Sequence, residues 1–100
     1  VINEIIRRVR GVAAPTKIIL FGSAANGPMT RDSDIDLLVI EQAPADLRDE
    51  MVRIGSALSG IGYPVDVIVM KAERFEETKD VIGGIAYPAN KYGKVIYEDA

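Results

Sequence analysis

The 100-residue sequence contains no cysteine and no histidine. Without cysteine there is no disulfide, no thiolate nucleophile and no zinc–cysteine site. Without histidine, a general base must be a carboxylate, a lysine, a tyrosine or water. No apolar run approaches the roughly 20 residues that span a bilayer. Arg7, Arg8 and Arg10 follow the first apolar residues, the reverse of a signal peptide. The expected setting is cytoplasmic, with no membrane partner. Basic charge is also scarce: 12 Lys and Arg against 15 Asp and Glu leave a net charge of −3. Proteins that coat nucleic acid carry a strongly basic face, so there is no strong nucleic-acid signal here. A small acidic cleft that holds metal is compatible with the same balance.

What is present is a folding composition. Hydrophobic residues make up 48% and charged residues 27%, which supports a core and excludes a disordered tract. The length fits one domain over residues 1–100. Ile2, Ile5, Ile6 and Val9 recur at helical spacing, and Gly11 and Pro15 are expected to end that helix. Residues 17–21 read as a buried strand. Residues 22–27 read as a short helical turn and 28–33 as polar loop. A second strand spans 34–41, with carboxylates at its start. The stripe Leu47, Met51, Ile54 and Leu58 predicts a helix over 45–59, with Pro44 near its start and Gly60 and Gly62 beyond its end. Residues 64–70 form a third strand and 73–79 a short charged helix. Residues 81–92 have helical spacing broken by Gly83, Gly84 and Pro88, and 94–97 form a short final strand.

The acidic residues fall in a pattern. Gly22-Ser23 follows the first strand, and ten residues separate the pair from Asp34-Ile35-Asp36. Asp66 opens the third strand inside an apolar run. Side chains alternate along a strand, so Asp34 and Asp36 share a face, with Cα atoms about 6.5–7 Å apart. Two carboxylates at that spacing can share cations, and repel each other without one. Oxygen-only ligands point to magnesium or manganese. Each part has an ordinary reading by itself: a turn, a solvated strand start, a salt-bridged acid. Their conjunction predicts one site. Gly22 and Ser23 would bind triphosphate oxygens through backbone N–H groups and a hydroxyl. Asp34, Asp36 and Asp66 would hold two Mg²⁺ ions, and Asp66 would accept a proton.

This site sets a topology. The first strand must end where the second and third begin, so it runs antiparallel to both. The second and third are then parallel, joined by the 45–59 helix as a right-handed crossover. The expected fold is α/β (α+β), a small mixed sheet of three to four strands packed with helices.

The stretch Phe21-Gly-Ser-Ala-Ala-Asn-Gly27 through Asp32-Ser-Asp-Ile-Asp-Leu-Leu-Val39 resembles the signature of the minimal nucleotidyltransferases of the DNA polymerase β superfamily. Asp66 in Pro64-Val-Asp-Val-Ile-Val69 matches that family's third acid, and Tyr92-Gly-Lys-Val-Ile-Tyr-Glu98 looks like its usual ending. Many members carry arginine where this chain has Asn26, which keeps hydrogen bonding but loses the cation. Arg31 is a candidate substitute. The resemblance implies transfer of AMP from ATP onto a tyrosine hydroxyl of a partner, a small helical HEPN-type ribonuclease toxin, with this chain as antitoxin. Two alternatives stand beside it: an antitoxin that acts by binding alone, and transfer to a small molecule, with a homo-oligomer supplying the acceptor pocket. Among the tyrosines, Tyr63, Tyr87, Tyr92 and Tyr97 are candidates for stacking on a base, against a default of packing. The arginines of the first helix read as a solvated face.

Overall fold

The computed structural model describes residues 1–22, 25 and 34–99. Helix α1 (Ile2–Val12) leads into β1 (Pro15–Phe21), then β2 (Ile35–Glu41), α2 (Leu47–Ala57), β3 (Val65–Lys71), α3 (Ala72–Thr78), α4 (Ala86–Tyr92) and β4 (Lys94–Glu98). The strands form one sheet in the order β3-β2-β1-β4. β1 is antiparallel to β2 and to β4, and β2 is parallel to β3. This is the mixed α+β arrangement that the acid pattern requires.

β2 reads as an almost unbroken apolar run because both of its faces are covered. Ile35, Leu37, Leu38 and Val39 have no measurable exposure. On one face Ile35, Leu37 and Val39 meet Ile5 and Val9 of α1 and Ile54 of α2, with Leu58 just beyond. On the other, Leu38 and Ile40 meet Ile19, Phe75 of α3 and Ala86 and Ala89 of α4. Each fully buried side chain of this size contributes about 1.5–3 kcal/mol, so the central strand is the main anchor of the fold.

Several element ends differ from their sequence expectations. α1 continues through Gly11 to Val12, and the chain becomes extended only at Ala13. One helical glycine costs about 1 kcal/mol against alanine, which the burial of Ile5 and Val9 outweighs. Pro15, lacking an N–H, opens β1 instead. α2 starts after Asp46, whose side chain accepts a hydrogen bond from Asp49 N at 3.1 Å. This N-cap, rather than Pro44, sets the start. Leu47 is 37% exposed, so the buried stripe begins a turn later than its periodicity suggests. The ambiguous 81–92 segment resolves into a loop and α4, where Pro88 is the third residue. A first-turn N–H has no intrahelical acceptor, so proline is tolerated there.

The arginines of α1 do more than solvate it. Arg7 pairs with Glu4. Arg8 donates to Ala57 O at 3.3 Å and Ser59 O at 3.1 Å, tying α1 to the end of α2. Arg10 lies 4.9 Å from the Tyr97 ring centroid. No helix among the described residues is long and apolar enough to cross a membrane.

Candidate active site

Three chain segments meet at one end of the sheet. β1 finishes there at Phe21, and β2 and β3 begin there. Asp36 pairs with Phe21 on one side and with Asp66 on the other. A parallel neighbour lies about 4.8 Å away, so the two carboxylates are held level on adjacent strands. Ile35 N donates to Pro64 O at 2.9 Å, which pins this register between Asp34 and Asp36. Alternation fixes the face. Leu38 and Ile40 belong to the cluster beneath α3 and α4, and Ile68 and Met70 pack against it. Asp36 and Asp66 are therefore on that face too, beyond its apolar part.

Gly22 completes the junction. Its φ is +81°, a conformation that L side chains rarely adopt. A Cβ there would run into the Asp36 carboxylate, overlapping Oδ2 and standing 3.2 Å from Cγ. The glycine is thus required twice, by its own backbone and by the acid beside it. Ala25 N donates back to Gly22 O at 3.2 Å, closing a turn directly after β1. Ser23, Asn26 and Arg31, and most of the 22–33 segment, lie outside the described residues.

Asp34 and Asp66 are exposed, while Asp36 is half-buried between them. Burial pushes the Asp36 carboxyl above its ordinary range, and the charges of Asp66 and Asp34 push it further. Among the described residues, no three acidic side chains are gathered closely enough to enclose an ion as they stand. The donor set is all carboxylate oxygen, and its central member resists ionisation. That suits a hard divalent cation such as magnesium, which would relieve both the burial and the repulsion.

Two features escaped the sequence reading. Glu41 and Glu50 are only 6% and 7% exposed, and each keeps one carboxylate oxygen without a hydrogen-bond partner. Glu50 pairs with Arg53, while burial raises the Glu41 carboxyl and Arg53 pulls it partly back. They lie at the opposite end of β2 from Asp36. A concavity of about 480 Å³ lined by Met70, Arg74, Thr78 and residues 81–86 is also remote from the acids. Met70 follows Asp66 by four strand positions, roughly 13 Å, so this space is not where the carboxylates act.

Residues 2–87 match the family described as "Nucleotidyltransferase domain". No curated protein sequence matches significantly. Among solved structures, a toxin–antitoxin with AMP-PNP aligns with a TM-score of 0.66 at 24% identity, over 98% of this chain and 73% of that one. A mutant of the toxin–antitoxin MntA-HpeT aligns at 0.65 and 21%, over 99% and 74%. A protein from Sulfolobus solfataricus described as a nucleotidyltransferase aligns at 0.64 and 20%, over 97% and 78%. At these identities the likeness is one of fold.

Proposed function

Taking as premise that the chain belongs to the nucleotidyltransferase domain family, we propose that it is a magnesium-dependent enzyme transferring AMP from ATP to a hydroxyl of a partner protein. The observation that carries this reading is the level pairing of Asp36 with Asp66, with Gly22 against the Asp36 carboxylate. In it, Asp34, Asp36 and Asp66 hold two Mg²⁺ ions, which when bound neutralise the triphosphate and lower the pKa of the acceptor hydroxyl. In this reading, backbone N–H groups following Gly22 and the hydroxyl of Ser23 would meet phosphate oxygens. Asp66 lies on an edge strand, open to an incoming acceptor, and takes its proton. The acceptor hydroxyl attacks the α-phosphorus, and pyrophosphate leaves.

The acceptor is a tyrosine of a small helical HEPN-type toxin. What supports this is the sequence resemblance together with the toxin–antitoxin relatives in the fold comparison. A second reading is neutralisation by contact alone, supported by Asn26 standing where many members of the family carry arginine. One experiment separates them. The chain, the toxin, Mg²⁺ and α-labelled ATP are incubated together, and again with Asp36→Asn. Label on the toxin that disappears with the variant supports the enzyme. An unlabelled toxin that is still neutralised by both proteins supports contact alone.

A further inference from the structure

The short helix α4 carries a polar cluster that neither core uses. Lys91 Nζ donates to the Tyr87 hydroxyl oxygen at 3.1 Å and stands 5.5 Å from the centroids of both the Tyr87 and Tyr92 rings. Lys91 is exposed, and its pKa is raised, first by the bond to Tyr87, so it stays cationic. Tyr92 is 59% exposed, an aromatic ring largely open to water beside the Lys91 cation.

The position of this cluster follows from the fold. Ala86 and Ala89 seat α4 on the face that bears Asp36 and Asp66. The helix ends at Gly93, where a Cβ would lie 2.6 Å from Ile19 Cγ2 and 3.1 Å from Leu20 O. The next residue, Lys94, pairs with Leu20, and Phe21 pairs with Asp36. The C-terminal end of α4 is therefore at the acid end of the sheet, two strand spacings or roughly 10 Å from Asp36. The other tyrosines are elsewhere. Tyr63 and Tyr97 pack against the opposite core, Tyr97 beneath Arg10.

We propose that Tyr92 and Lys91 form the nucleoside shelf of this site: the Tyr92 ring stacks on the base of the nucleoside triphosphate, and Lys91 meets its phosphates. This rests on the reading of the acids as a triphosphate site. An exposed ring stacks on any base without hydrogen-bond readout. A lysine already oriented by a neighbouring hydroxyl loses less freedom when an anion arrives. Tyr87 is a positioning residue in this scheme, acting through Lys91.

The test is equilibrium binding in Mg²⁺ with two probes, ATP and inorganic tripolyphosphate, on the full chain. Tyr92→Ala should weaken ATP about tenfold or more while leaving tripolyphosphate unchanged. Tyr92→Phe keeps the ring and should bind ATP like the wild type. Lys91→Gln should weaken both probes. Circular dichroism melts of each variant establish that it is folded. If the wild type binds ATP, loses it with Asp36→Asn and keeps it with Tyr92→Ala, the shelf is wrong and the acid site stands. If the wild type binds neither probe, the triphosphate site itself is wrong and the shelf falls with it.

Discussion

Replacing Gly22 by alanine adds one methyl group at the junction of β1 with the acids. Two effects follow. The backbone sits at φ +81°, where an L residue costs about 1–2 kcal/mol. The new Cβ also overlaps the Asp36 carboxylate, so that carboxylate must swing away by roughly 1 Å to regain van der Waals contact. A domain with 5–15 kcal/mol of stability survives the first effect. Catalysis is expected not to survive the second. A misplacement of about 1 Å at a reacting centre costs on the order of 10²-fold. Gly22→Ala should therefore unfold at slightly lower urea yet label the partner at about a hundredth of the wild-type rate. Gly11→Ala is the control: its Cβ meets nothing within 4 Å and it lies within α1. It should gain about 0.5–1 kcal/mol and leave transfer unchanged. A folded Gly22→Ala protein with a transfer rate within about threefold of wild type would refute the claim that Gly22 and Asp36 are one device.

Asp36→Asn should abolish transfer and, in EDTA, raise the melting temperature. The sign follows from the raised Asp36 carboxyl. A carboxylate raised by folding favours the folded state only below its unfolded pKa, and loses that contribution as pH climbs through the raised value. At neutral pH the ionised wild-type group is thus a cost that asparagine removes; a fall of several degrees would instead reveal a structural ion pair. Mg²⁺ should then stabilise the wild type and not the variant, because only a state that binds ligand gains from it. Glu41→Gln tests the other end of β2. Burial raises Glu41 more than Arg53 lowers it, so the same sign applies. The variant should melt higher than the wild type near neutral pH, with the difference vanishing in acid. A less stable variant at neutral pH would mean that ionised Glu41 is held by Arg53.

The topology was legible because chemistry constrained it. Asp34, Asp36, Asp66 and Gly22 could meet only if β1 opposed β2 and β3, and the strand pairings have that sense. β2 was legible as a strand because Leu37 to Ile40 is apolar on both faces. Glu41 and Glu50 were not, since a glutamate in sequence carries no mark of its burial. Glu41 feels the charge of Arg53 on α2, a relation between segments that sequence order does not display. The Arg8 link to Ala57 and Ser59 was hidden for the same reason: its acceptors are backbone carbonyls 49 and 51 residues away. The helix expected over 45–59 starts two residues later, at Leu47, because the Asp46 side chain caps it through Asp49 N, a bond that periodicity does not display. Tyr92 could be separated from Tyr63 and Tyr97 only by knowing which face each occupies.

The parallel register of β2 with β3 has a consequence for how the chain reaches its native state. Val65 to Val69 is apolar enough that a pairing displaced by one position still buries hydrophobic surface. Such a slip would turn Asp66 to the α1–α2 side and leave Asp36 facing a valine. On the proposed function, a cation and a triphosphate would bind only the chain in which both aspartates face the same way. Burial already disfavours that slip, since it would drive Asp66 into the core beneath α1 and α2, and a ligand that binds only the native pairing would add to the preference by mass action. On the proposed function the nucleotide would reinforce the register of the sheet as well as react at its edge.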